Sequence, residues 1–119
     1  MSDQSGGGIG VEIIGSALHL PEGTLTNKDL EGMMDTSDEW IVKRTGINTR
    51  RRADIANGET TSVLATEAMR KALANAKVDA TELDLLLVAT MTCDSPTPSV
   101  GCVVAREVGC RDIGAMDIN

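Results

Sequence analysis

Trp40 and Arg44 stand four positions apart in a 119-residue chain that has no Phe and no Tyr. One helical turn separates them, so on a helix a ring and a guanidinium share one face, an arrangement that can serve a ligand. On residue type alone the plainer account is a packing anchor and a solvated charge. Lys43, Arg44, Arg50, Arg51 and Arg52 form the one dense basic cluster. Such a cluster can attract phosphates or an acidic surface, or be solvated surface and nothing more. Cys93, Cys102 and Cys110 are spaced for no zinc site, and His19 is the only histidine. Neither a metal centre nor a nucleophile is therefore read from them, and Cys102, beside Val103 and Val104, is expected to be a small buried hydrophobe.

These side chains lie in an acidic chain. Eleven Lys and Arg against eighteen Asp and Glu give a net charge of -7, which argues against nonspecific nucleic-acid binding. No aromatic stacking residues accompany Arg50 to Arg52, so the cluster does not suggest a nucleic-acid site either. Apolar content is 41% and comes from Ala, Val, Leu, Ile and Met. A core built from them must pack small and aliphatic side chains closely, which favours layered helices and sheet. Residues 1–8 are polar and Gly-rich, too weakly apolar for a signal peptide, and are expected to be a disordered leader ahead of one incomplete domain over 9–119. With no spanning segment and an odd set of cysteines, the expected setting is a reducing cytoplasm without membrane contact.

The elements that must position Trp40 and Arg44 follow from periodicity. Val11 to Leu18 is an apolar run closed by Pro21 and Gly23, and predicts a first strand. Thr26 with Asp29 starts one short helix, and Thr36 with Glu39 has the spacing of a capping box for a second. These two are expected to end near Gly32 and Gly46. Arg50 to Gly58 reads as a loop with an Asn-Gly turn. From Thr61 to Lys77, Leu64, Ala65, Ala68, Met69, Ala72, Leu73 and Ala76 recur at helical spacing, with Glu67 and Lys71 as an i,i+4 pair opposite. Leu83 to Met91 is nearly continuous apolar sequence and predicts a strand covered on both faces. Ser99 caps a helix with Val100, Val103, Val104 and Val108 on one side, ending at Gly109. Ile113 to Ile118 begins a last strand. The alternation predicts an α/β layered fold with a parallel or mixed sheet that leaves an edge and a helix face uncovered, as part of a larger unit.

The segment from Asp35 to Ile47, Asp-Thr-Ser-Asp-Glu-Trp-Ile-Val-Lys-Arg-Thr-Gly-Ile, strongly resembles the β-ketoacyl-acyl-carrier-protein synthase III family. Ile14-Gly15, Leu20 to Glu22, Thr26 to Leu30, Glu59-Thr60, Leu85 to Thr90, Pro98-Ser99 and Met116-Asp117 support it, so the resemblance runs nearly from Val11 to Asn119. It implies the thiolase fold, α-β-α-β-α layers built from two similar halves, of which this chain would be most of the N-terminal one. It also implies a homodimer that condenses an acyl-CoA primer with malonyl-acyl-carrier protein, releases CO2 and starts type II fatty-acid synthesis. Coenzyme A enters as a thioester substrate, and no cofactor is held permanently.

By the same resemblance, Thr36, Trp40 and Arg44 hold the adenine end of coenzyme A, with Thr45 a candidate by proximity alone. Arg50 to Arg52 could then meet its phosphates or the carrier protein. No catalytic residue is expected here: by alignment the nucleophilic cysteine falls three positions beyond Asn119, and the partnering His and Asn lie later still. The isolated chain is accordingly expected to be inactive and marginally folded or aggregation-prone. Thr97 stands where the family commonly has a bulky residue that closes the partner's primer pocket, which implies room for longer or branched primers. Two alternatives stay open: a related thiolase-fold synthase making polyketides, ketones or hydroxymethylglutaryl-CoA, and a short noncatalytic protein that binds coenzyme A or acts as an interaction module.

Overall fold

The computed structural model describes residues 10–119, so the expected leader lies outside the described residues. The element order is β1 (Thr24–Thr26), α1 (Asn27–Glu31), α2 (Asp38–Thr45), β2 (Thr49–Arg51), α3 (Thr61–Ala76), β3 (Leu85–Ala89), α4 (Val100–Val108) and β4 (Gly114–Ile118), with 3-10 turns at Ile55–Asn57 and Ala80–Glu82. β3 and β4 pair in parallel, with Leu85 opposite Gly114 and Ala89 opposite Ile118, and α4 crosses between them. β1 and β2 form a separate antiparallel pair. The α/β organisation and the parallel sheet expected from the alternation are therefore present.

The core is small and aliphatic. Leu86, Val100, Val104 and Ala105 are buried together, and Ala65, Met69, Val88 and Ile113 pack around them. α4 approaches the sheet through Gly101, where an added Cβ would come within 3.0 to 3.2 Å of the Met116 backbone. The Asp117 carboxylate, at the far end of β4, accepts from the Val100 N–H at 2.8 Å and the Gly101 N–H at 2.6 Å. A carboxylate at a helix N-terminus satisfies donors that have no partner within the helix and complements the dipole. The Ser99 hydroxyl accepts from the Cys102 N–H, the N-cap role expected for Ser99.

A second carboxylate ties the β3–α4 loop to α3. Asp94 accepts from the Thr61 N–H at 2.8 Å and the Ser62 N–H at 3.1 Å, and the Thr61 hydroxyl donates to the Thr92 carbonyl at 2.6 Å. Burial works to raise the Asp94 pKa, but hydrogen bonding from Ser62, Thr60 and Thr61 together outweighs it and holds the carboxyl below its ordinary 3.8.

Several expectations are corrected. Val11 to Leu18 is not a strand: no described strand pairs with it, and Val11, Ile13, Ile14 and Leu18 are exposed. An apolar run makes a strand only where a ladder partner satisfies its backbone. Here it lies extended along α3, with Gly15 against Ala72 and Ala76 and the Asn75 amide donating to the Ser16 carbonyl at 2.9 Å. β3 is covered on one face alone, since Leu86 is 5% exposed while Leu85 and Leu87 are about half exposed. Arg50 and Arg51, at the start of the segment read as a loop, belong to β2, because β1 offers it a partner. Glu67 pairs with Arg70 rather than Lys71, whose ammonium lies 2.9 Å from His19 Nδ1. The radius of gyration is 19.7 Å, against about 13–14 Å for a compact domain of this length. The described elements thus leave several apolar faces bare, as the sequence predicted.

Gly101→Ala is expected to lower stability by about 1–3 kcal/mol in thermal melts, because close packing against Met116 outweighs the better helix propensity of Ala. A raised Tm would show that α4 does not press on β4. The Asp94 clamp gives a pH dependence of definite sign. A carboxyl with its folded pKa lowered contributes stability that is complete above 3.8 and is lost as pH falls through the folded value. Amide exchange at Thr61 and Ser62, corrected for intrinsic rates, should quicken on acidification in the parent chain and show no such titration in Asp94→Asn.

Candidate functional site

α2 carries the residues singled out by the Asp35 to Ile47 segment. Its N-cap is Ser37, whose hydroxyl accepts from the Trp40 N–H at 3.1 Å. This corrects the expected Thr36 to Glu39 box: Ser37 has the extended backbone of a cap, with φ −140° and ψ 153°, which leaves Thr36 outside the helix. Gly46 closes the helix with φ 70°, a conformation that costs glycine little, and its N–H donates to the Val42 carbonyl. Asp38 and Glu39 lie in the first turn and Lys43 and Arg44 in the last, each complementing the dipole. Ile41 is buried and anchors the inner face of α2.

On a flanking side of the helix Trp40 is 53% exposed, and the Arg44 guanidinium carbon sits 4.8 Å from the ring centroid. That distance is within cation–π range, so the guanidinium and ring hold each other in solvent. Met34, Asp35, Thr36, Ser37 and Trp40 line an open groove of about 530 Å³ beside the ring. Trp40 thus stands beside Thr36 in this groove and beneath the Arg44 guanidinium. Thr45 has a local task instead. Its hydroxyl donates to the Ile41 carbonyl at 2.8 Å and accepts from the Ile47 N–H at 3.1 Å, closing the end of α2.

The basic cluster divides by role. Arg50 donates to the side-chain oxygen of Asn27, and Arg51 donates to the Pro21 and Glu22 carbonyls at 3.3 and 3.1 Å. Both guanidiniums are thus committed to holding the fold. Among the described residues no ion pair involves Lys43, Arg44 or Arg52, which are exposed. Thr97 lies apart in the β3–α4 loop. It is exposed, its carbonyl accepts from the Ser95 hydroxyl at 3.2 Å, and among the described residues no hydrogen bond or groove joins it to Thr36, Trp40 or Arg44. Cys102 is exposed rather than buried, because α4 turns Val100 and Val104 inward and leaves Cys102 outside. Cys93 is also exposed and Cys110 is half-buried. Among the described residues no three His, Cys, Asp or Glu side chains converge, and no helix is long and apolar enough to cross a membrane.

One residue that pattern reading passed over stands at the centre of this region. Asn27, 1% exposed, donates through Nδ2 to Asp38 Oδ1 at 2.7 Å and to the Ile47 carbonyl at 2.8 Å, and its Oδ1 accepts from Arg50. A second contact joins the same elements: the Asp38 N–H donates to Glu31 Oε1 at 2.7 Å, linking the start of α2 to the end of α1. An Asn directly after a helix cap carries no sequence signal of burial. Only the folded neighbours reveal it.

No protein-family model matches the chain. The β-ketoacyl-acyl-carrier-protein synthase III of Caldanaerobacter subterraneus is 48% identical over 111 residues, covering 93% of this chain and 33% of that protein. The chain thus spans about a third of the length of the curated relatives it matches. The crystal structure of 3-oxoacyl-acyl-carrier-protein synthase III from Aquifex aeolicus superposes with a TM-score of 0.86 at 44% identity, over 92% of this chain and 34% of that one. The priming β-ketosynthase of a polyketide biosynthetic pathway gives 0.83 at 37% identity, over 89% and 31%. Over about a third of their length, the chain matches β-ketoacyl-acyl-carrier-protein synthases III in sequence and superposes on their thiolase-fold structures.

Proposed function

We propose that the protein carrying this chain is a condensing acyltransferase that joins an acyl-CoA primer to malonyl-acyl-carrier protein and initiates fatty-acid synthesis. This chain supplies the surface for the nucleotide end of coenzyme A. The observation that carries the reading is the exposed Trp40 ring beside the Arg44 guanidinium, with Thr36 on the rim of the same groove. An aromatic face suits adenine, a guanidinium suits phosphate, and a threonine hydroxyl can donate to or accept from a nucleotide edge. Exposed Lys43, in the last turn of α2 with Arg44, adds positive charge at that end of the helix, although Asp35 on the groove lining opposes it.

The reaction that goes with this surface is thioester exchange followed by condensation. The acyl group passes from coenzyme A to a cysteine sulfur, and the coenzyme A thiol leaves. Loss of CO2 from the malonyl thioester then leaves a carbanion equivalent that attacks the acyl-enzyme, returns the cysteine and forms the β-ketoacyl thioester. The reading assigns that cysteine to none of Cys93, Cys102 and Cys110, and gives this chain a binding role. A homodimer in a reducing cytoplasm, with coenzyme A as substrate rather than resident cofactor, belongs to the same proposal.

A second reading, a synthase that primes polyketide assembly, is supported by the likeness to the priming β-ketosynthase. The β3–α4 loop bears on the choice between them. A small side chain at Thr97 fits a roomy primer pocket in the partner subunit, and so fits primers longer or more branched than acetyl.

In the full-length protein, Trp40→Ala and Arg44→Ala should each weaken coenzyme A binding about tenfold or more by calorimetry. Unchanged affinity in both variants would overturn the assignment of this surface. Binding without CO2-releasing condensation would leave a noncatalytic coenzyme A module as the function. For Thr97, the ratio of kcat/KM for longer acyl-CoA primers to that for acetyl-CoA should fall severalfold in Thr97→Phe. A strict acetyl preference that persists in Thr97→Gly would sink the pocket argument.

A further inference from the structure

We propose that Asn27 is the positioning residue of the coenzyme A surface: by holding both ends of α2, its side-chain amide sets where Trp40 and Arg44 stand, although it touches no ligand. The inference rests on the binding role proposed for Trp40 and Arg44. Asp38 is the first residue of α2, and Ile47 follows the Gly46 that ends it. Asn27 Nδ2 donates to both, at 2.7 and 2.8 Å. Eight residues at 1.5 Å rise make a helix about 12 Å long, too short to hold its own direction without external contacts. A single amide that bonds the start of α2 and the residue beyond its end therefore constrains both its tilt and its rotation.

The amide is also chemically specific. Both Nδ2 hydrogens have acceptors, and Oδ1 receives the Arg50 guanidinium from β2, so each polar atom of the buried group has a partner. No other side chain of similar size offers two donors and an acceptor in this geometry. Asp presents oxygens only, and would set a second carboxylate against Asp38. Leu would leave Arg50, Asp38 and the Ile47 carbonyl without their partner. Around the amide, α1 contributes Glu31, whose carboxylate accepts from the Asp38 N–H, and β2 contributes Arg50. Arg50 thus acts on the site through Asn27 rather than by meeting a phosphate.

The pairing suggests a test by exchange. Asn27→Asp removes both donors and opposes Asp38, whereas Asn27→Asp combined with Asp38→Asn restores a donor and an acceptor between positions 27 and 38 and gives Arg50 a charged partner. In the full-length protein, calorimetry with coenzyme A should show affinity reduced about tenfold in Asn27→Asp and recovered severalfold in the double variant, which restores the bond to position 38 but leaves the Ile47 carbonyl without its donor. KM for acyl-CoA should follow affinity, with kcat at saturation within about twofold of the parent, a split that general unfolding does not give. Parent affinity in Asn27→Asp, or a double variant no better than the single one, overturns the inference. Trp40→Ala separates the two claims: if it weakens binding while Asn27→Asp does not, the positioning role fails and the binding surface stands. If Trp40→Ala leaves affinity unchanged, the binding surface fails. The positioning claim is then read in the full-length protein from the indole N–H resonance that Trp40→Ala removes. That resonance should shift in Asn27→Asp and move part of the way back in the double variant, and an unchanged resonance overturns the claim.

Discussion

The region from β1 to β2 depends on one buried amide. Asn27 has almost no solvent contact, and the polar groups that meet it come from the start of α2, the turn after its end, and β2. A buried polar group of this kind is costly unless every hydrogen bond is made, so its neighbours have essentially one acceptable arrangement. α1 and α2 are too short to persist by propensity, and Ile41 is the one buried residue of α2. Hydrogen bonding therefore does here what apolar burial does in the other half of the molecule, and it leaves the outward face of α2 free to carry a ring and a guanidinium.

In that other half, close packing and helix-terminal carboxylates take over. Gly101 permits contact between α4 and β4, and Leu86, Val100 and Val104 fill the space behind it. Asp117 and Asp94 then fasten the ends: one joins β4 to α4 and the other joins the β3–α4 loop to α3. The loop that carries Thr97 is held at both ends by these contacts, so a residue far from the α2 surface still has a defined position. The two regions share the same device, a side-chain acceptor placed on otherwise unpaired backbone donors.

Uncovered apolar faces set the terms for everything else. Leu85 and Leu87 on β3 and Met116 and Ile118 on β4 are about half exposed, and Val11, Ile13, Ile14 and Leu18 are more exposed still. A chain spanning about a third of its relatives' length displays the pattern expected when a layered fold is seen in part. The same fact explains why β3, read as a strand covered on both faces, has one face covered by the described residues: its sequence matches a thicker fold than these elements make.

What the sequence determined by itself was local or written in a specific motif. Helical spacing located α3 and α4, Gly46 and Gly109 marked helix ends, and Thr26 with Asp29 marked the first cap. The Asp35 to Ile47 segment carried the family resemblance and set Thr36 and Arg44 beside Trp40. These features depend on neighbours within a few residues, where periodicity and capping act. Only the tertiary structure decided that Ser37 rather than Thr36 is the cap, that Arg50 and Arg51 serve the fold, that Cys102 faces out, and that Val11 to Leu18 has no strand partner. It also brought Asn27, Asp94 and Asp117 to their roles. The Ser37 cap is a contact three residues long, which the pattern left open between two adjacent cap residues. The others depend on a group 11 to 33 residues away or on the absence of one, and a hydrogen bond across that separation leaves no trace in the order of the residues that make it.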